Sequence, residues 1–251
     1  YLYVPYHLFQ QGAAAGIAEL ARACEPALQG LLKEWKTKQL ALPLEEATAQ
    51  SQEEALFNRA LQEAGIAQPP GEVADVMRQA VLLLDHAIRS KHPTVAHAFQ
   101  PLLGPLDEYA QRLLEKRLKS FIPTEKEASI AFFNPRLDHL PARERPLLEK
   151  HQRYLRDNLV FGRSIQRLGT LLFCLDYARQ TGQNIPGLWQ TVREQFGTPA
   201  FRELYEVLRG VNEFRNTRVA HVETPLTDEQ EAWDAMRTWL TAMHKMAEMC
   251  K

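Results

Sequence analysis

Apolar positions recur every three or four residues along almost all of the chain from residue 14 onward, which is the signature of helices that bury one face. Residues 14–37 carry Ile17, Leu20, Ala21, Cys24, Leu28, Leu31, Leu32 and Trp35 on a broad stripe. Residues 43–65 predict a second, more polar helix starting at Pro43, because the fixed φ of proline suits a first helical turn. Pro69-Pro70-Gly71 breaks the pattern before a third helix over 72–91, apolar from Val76 to Leu84. Short helices punctuated by Pro93 and Pro101 follow, and then another helix over 105–120. Only the opening Tyr1-Leu2-Tyr3-Val4-Pro5-Tyr6 reads as strand-like, being aromatic and β-branched. The predicted fold class is therefore all-α, with a short N-terminal strand-like remnant.

Prolines cluster over 121–141, in Ile122-Pro123-Thr124, Asn134-Pro135 and Leu140-Pro141. Each disfavours helix in the residue before it, so this stretch is expected to be a linker. It divides the chain into a helical region over 1–120 and a helical bundle over 142–251. In the bundle, residues 144–181 predict one long helix with Leu148, Leu155, Leu159, Ile165, Leu168, Leu172 and Leu175 on its face. Gly162 and Gly169, seven apart, offer a close approach to a neighbouring helix, and Gly182 serves as C-cap. A short helix is expected over 186–196. Thr198 and Pro199 then form the N-cap and first turn of a helix that Pro225 stops. Thr227 caps the last helix, with Asp228 and Glu229 facing its positive dipole end.

Composition narrows the function classes. The 251 residues are 45% apolar and 24% charged, as in ordinary soluble globular proteins. A net charge of -1 supplies no global basic field for nucleic acid, so any such site must be a local patch. Cys24, Cys174 and Cys250 are few, odd in number and unpaired in spacing, which predicts reduced thiols and a cytoplasmic location. No metal-ligand spacing, glycine-rich phosphate loop or long apolar run is present, so no metal, cofactor or membrane span is expected. Because the strand-like opening has no partner strand, the chain is expected to be a C-terminal piece of a larger protein whose preceding domains are missing.

The candidate chemistry lies at Arg215-Asn216-Thr217-Arg218-Val219-Ala220-His221. The apolar seam of this helix runs Leu204, Leu208, Val211, Arg215, Arg218, Val222, at spacings of four and three. Two arginines thus occupy seam positions, and His221 follows Arg218 by three residues, so the two are surface neighbours on a helix. Guanidiniums grip phosphate and stabilise charge building on it. A histidine exchanges protons near neutral pH. RNA carries its own nucleophile in the 2′-hydroxyl, so such a set could cleave it without metal. The residue types leave a second reading open, in which Arg215 pairs with a carboxylate of a neighbouring helix and His221 suits the negative end of the helix dipole.

The run Glu213-Phe214-Arg215-Asn216 followed by Ala220-His221 resembles the signature of the HEPN superfamily of helical nucleic-acid-processing domains. In that signature an arginine, often followed by Asn, Asp or His, precedes a histidine by four to six intervening residues; here five intervene. The resemblance implies a helical bundle over 142–251 that often dimerises to join two motifs in one cleft. It implies a metal-independent endoribonuclease in which Arg215 and His221 are catalytic and Asn216 supports them; some family members bind without cutting. Arg218 lies outside the core motif and is expected to assist binding. Val211-Asn212-Glu213-Phe214-Arg215-Asn216-Thr217 with Val219-Ala220-His221 is also similar to the C-terminal tails of large DEAD/DEAH-type restriction-like helicases. That likeness implies a defence-related parent protein, and as an alternative a non-catalytic module that docks nucleic acid or a partner.

Outside the motif, residues 143–179 carry Arg143, Arg145, Lys150, Arg153, Arg156, Arg163, Arg167 and Arg179 against four acids. Arg153, Arg156 and Arg163 are candidates for contacts to a nucleic-acid backbone; a solvated helix face is the competing expectation. His86, His92 and His97 are expected to be surface or packing residues. Met236, Met243, Met246 and Met249, with Trp233, Trp239 and Leu240, predict the apolar faces of the last helix.

Overall fold

The computed structural model describes residues 43–92, 94–138, 140–163, 165–180, 185–219 and 228–251, with the side chains of 43–49 omitted. The expected N-terminal strand remnant and the helix over 14–37 lie outside these residues, as do Cys24, Gly182, Ala220, His221, Val222, Pro225 and Thr227. The chain divides into two compact units, Tyr1–Glu54 and Ala55–Lys251. Of the first, only the start of one helix is described.

The described residues form nine α-helices and no strand, so the all-α expectation holds. They are α1 (Pro43–Glu63), α2 (Ala74–Arg89), α3 (Gln100–Leu118), α4 (Lys126–Phe133), α5 (Arg145–Leu159), α6 (Arg167–Arg179), α7 (Leu188–Phe196), α8 (Pro199–Phe214) and α9 (Glu229–Cys250). Short 3₁₀ turns at Ala96–Phe99 and Lys119–Phe121 flank α3, and a π-helix at Arg215–Val219 extends α8. Within the second unit, α3 is the common partner. Its Leu102, Leu106, Leu113, Leu114 and Leu118 are fully buried, and it packs against α9, α6, α2, α7 and α5.

That arrangement corrects the expected domain boundary. One continuous apolar core runs from Leu56 to Ala247 and includes residues on both sides of 121–141. The proline-rich stretch does not divide the unit; it holds the short helix α4, whose Phe133 is buried in the same core. Gln152 of α5 ties it down by donating a hydrogen bond to the Phe133 carbonyl at 2.9 Å. Prolines marked irregular backbone correctly, but a core forms wherever apolar faces meet, whatever connects them.

The expected long helix over 144–181 is two helices. The chain turns between Leu159 and Arg167, with Gly162 at φ 63° and Gln166 at φ 41°. Glycine takes the left-handed region without steric cost, so Gly162 serves a turn instead of a helix contact. A Cβ at Gly169 would meet no described residue within 4 Å, so no described helix approaches there either. Asn158 holds the turn: its side chain donates to the Ile165 carbonyl and accepts from the Ile165 amide, both at 2.9 Å. The unpaired backbone groups at these buried helix ends are satisfied from α3. Gln111 donates to the Asn158 carbonyl at 3.2 Å, and Asp107 accepts from the Leu168 amide at 3.2 Å.

α3 starts five residues before its expected position at 105, with Pro101 in its first turn and Pro105 inside it. Proline there forfeits one backbone bond near the start of the helix, where few exist to lose. Pro199 opens α8 as expected; Thr198 takes the extended N-cap backbone but makes no side-chain cap bond. In α9 the cap is Asp228, whose carboxylate accepts from the Glu231 amide at 2.9 Å. Met236, Trp239, Leu240, Met243 and Met246 of that helix are fully buried, and Trp233 and Met249 pack at the edge.

Candidate functional site

α8 is strongly amphipathic because Phe201, Leu204, Tyr205, Leu208 and Val211 all fall on one face and are buried. The α-helical seam would next reach Arg215 and Arg218. The structure corrects that expectation. From Arg215 to Val219 the backbone is a π-helix, which bonds i to i+5 and so advances the buried face by more residues per turn. Phe214 and Val219, five apart, take the core-facing positions. The Phe214 ring lies 4.8 Å from that of Phe99 and 6.3 Å from that of Trp239.

Of the residues between them, the middle two are the most open to solvent. Arg215 is half-buried, and Asn216 and Thr217 are exposed. Among the described residues no hydrogen bond or ion pair involves the Arg215 side chain, so the pairing to a neighbouring carboxylate that the residue types left open does not occur there. Arg218 does pair: its Nη2 lies 3.1 Å from Oε1 and 3.5 Å from Oε2 of Glu231 at the start of α9. The Thr217 hydroxyl donates back to the Glu213 carbonyl at 2.8 Å. This bond satisfies one of the carbonyls that the wider helix leaves without an α-type partner. His221 lies outside the described residues, so the motif's arginine, asparagine and second arginine are placed and its histidine is not.

Beside this segment is an open groove of about 490 Å³ lined by Gly210, Glu213, Phe214, Thr217, Arg218 and Glu231. Sequence reasoning missed it. Its two carboxylates come from different helices, and only the i, i+4 offset of Glu213 from Thr217 hinted at a shared face.

The basic residues of 143–179 do not form one stripe. Arg153 is exposed, with its guanidinium 5.8 Å from the Tyr154 ring centre. Arg156 is half-buried, and its Nε is enclosed without a hydrogen-bond partner. Arg163 is exposed in the turn after α5, 3.9 Å from Asp157 and 5.6 Å from the ring centre of Phe161. Phe161 is itself 58% exposed. Arg179 is occupied by Glu206 at 2.7 Å and lies 4.0 Å over the Tyr205 ring.

His151, on the inner face of α5, is 8% exposed and stacks on Phe173 of α6. Burial lowers its pKa to about 4, with Lys150 adding to the shift. It is a packing histidine, neutral in the folded protein near neutral pH. Among the described residues no group of three or more His, Cys, Asp or Glu could hold a metal ion. No described helix is long and apolar enough to cross a membrane. His92 and His97 stack edge to face at 4.9 Å, away from any such group.

No known protein family matches the chain, and no curated protein or solved structure matches it.

Proposed function

We propose that this protein is a metal-independent endoribonuclease of HEPN type, with Arg215 as the phosphate clamp and His221 as the general acid or base. The observation that carries the reading is that the half-buried guanidinium of Arg215, at the start of the π-helix, has no partner among the described residues. A half-buried guanidinium in that state has its donors available to a phosphate. During cleavage the 2′-oxygen attacks the adjacent phosphorus while a base removes its proton. The 5′-oxygen leaves with a proton from an acid, producing a 2′,3′-cyclic phosphate. Arg215 supports the charge that builds on the phosphoryl oxygens. Asn216, next to it and exposed, orients the clamp or the second copy of a homodimer. Arg218 assists binding, and the chain acts as one part of a larger, defence-related protein.

The test is incubation of purified protein with single-stranded RNA in EDTA. Products ending in 2′,3′-cyclic phosphate, absent with His221→Ala and with Arg215→Ala, support the reading. Equal activity in either variant rejects it.

A second reading is favoured by a separate observation. Arg163 beside the exposed Phe161, with Arg153 over Tyr154, places cations against accessible rings. Such surfaces hold single-stranded nucleic acid by stacking and charge without cutting it. On that reading the protein is a non-catalytic docking module of a restriction-like helicase. RNA binding without cleavage, weakened by Phe161→Ala, is its expected result.

A further inference from the structure

Among the described residues, the lining of the groove beside the motif is acidic on balance: Glu213 and Glu231 contribute two carboxylates and Arg218 one guanidinium. A phosphodiester backbone is repelled from such a surface, so the phosphate belongs outside it, at Arg215. What enters the groove must be neutral or cationic, and rich in hydrogen-bond donors where it meets the carboxylates.

Two features select among neutral ligands. Glu213 is exposed, and its carboxylate has no hydrogen-bond or ion-pair partner among the described residues; an ionised carboxylate only accepts. Arg218 is 26% exposed and is held by Glu231 through Nη2 alone, which leaves donors on Nε and Nη1 available. The groove therefore offers the two acceptor oxygens of Glu213 and the Arg218 donors that Glu231 leaves open. At about 490 Å³ its volume suits a small planar ligand.

We propose that this groove binds an unpaired guanine base. Guanine presents two adjacent donors, N1–H and N2–H₂, that match the Glu213 carboxylate. It also presents the acceptors O6 and N7, either of which can take one of the open Arg218 donors. Adenine, cytosine and uracil each set an acceptor against Glu213 beside their donor, so each loses a bond there. Single-stranded RNA can splay a base outward in this way. Glu213 and Arg218 are then specificity residues, and Glu231 positions Arg218. The proposal rests on the ribonuclease reading only in taking RNA as the source of the base.

The experiment titrates the full chain with guanosine, inosine and adenosine, followed by ligand-observed NMR. It is repeated with five-residue oligouridylates carrying a central G or A, followed by fluorescence anisotropy. Guanosine should bind roughly tenfold more tightly than adenosine, with inosine between, since inosine lacks N2–H₂. Glu213→Gln should remove most of that preference while leaving the melting temperature unchanged. No binding, equal affinities, or a preference unaffected by Glu213→Gln overturns the proposal. Displacement of bound guanosine by arginine amide at equal concentration also overturns it, in favour of a cation site. Guanosine preference without RNA cleavage rejects the ribonuclease reading alone; cleavage with no guanine preference rejects the groove assignment alone.

Discussion

The imidazole of His151 lies parallel to the ring of Phe173, with 4.0 Å between ring centres and 5° between planes. This pair joins α5 to α6 beside Trp189, whose ring centre is 5.5 Å from that of Phe173. Protonating His151 places a charge in that contact. Its pKa falls from 6.5 to about 4 on folding, so the neutral form is favoured in the folded state. The resulting stability is present above pH 6.5 and is lost as the pH falls toward 4. The loss is on the order of 3 kcal/mol. His151→Phe should keep the stack and flatten this part of the profile. Urea melts of both proteins at pH 7 and pH 4.5 check it: their stabilities should differ more at the lower pH, with the variant ahead.

Phe214 anchors the start of the π-helix between Phe99 and Trp239. Phe214→Ala should cost about 3 kcal/mol, the low end for a large aromatic because the ring is only partly buried. Thermal unfolding measures it. A loss under 1 kcal/mol would mean that the π-helix does not depend on this anchor.

The Arg218–Glu231 pair is different in kind. Its side chains are 26% and 44% exposed, so water and salt screen it. Replacing either partner by Ala should change stability by less than about 1 kcal/mol. The effect should shrink further in 1 M salt, where charges are screened within roughly 3 Å. Melts of the two single variants and the double variant at low and high salt read the coupling directly.

On the ribonuclease reading proposed above, Arg215 separates chemistry from folding. Since it is not part of the core, Arg215→Leu should stay within about 0.5 kcal/mol of the native stability. Arg215→Lys should keep the charge yet lose the forked grip on phosphate. Single-turnover cleavage by the lysine variant is expected to slow about a hundredfold. A lysine variant at full rate would show that only the charge matters.

The surface at Arg153, Arg163 and Phe161 gives a prediction on binding alone. Replacing both arginines by Ala should weaken RNA binding and make the log Kd against log salt plot shallower by about 0.7 per lost phosphate contact. Anisotropy titrations at several salt concentrations supply the slope.

Helix faces were legible in the sequence wherever the period stayed at 3.6. Leu204, Leu208 and Val211 of α8, and Met236 to Met246 of α9, face the core as their spacing predicts. The reading failed where the period changed without a local marker. Nothing in Arg215-Asn216-Thr217-Arg218-Val219 announces a π-helix, because its cause is tertiary: Phe214 and Val219 have core to fill and the arginines do not. The break at Gly162 was equally hidden, since the apolar stripe runs on through Ile165 and Leu168 into α6. What stops the helix is Asn158 closing on Ile165, a bond between side chain and backbone that periodicity does not record. The groove joins residues of α8, the π-helix and α9, and so emerged only with the fold.

Because α3 packs most extensively against α9, its apolar surface has no final cover until Cys250 has been made. At about 5–20 residues per second of synthesis, the ribosome needs roughly 10 s to travel from α3 to the end of α9. During that interval Leu102, Leu106, Leu113 and Leu114 depend on earlier helices, or on chaperones, for shelter. Stalled or shortened chains that stop before α9 should therefore be the aggregating species in the cell, and a cell under translational stress would meet this protein first as a sticky nascent chain.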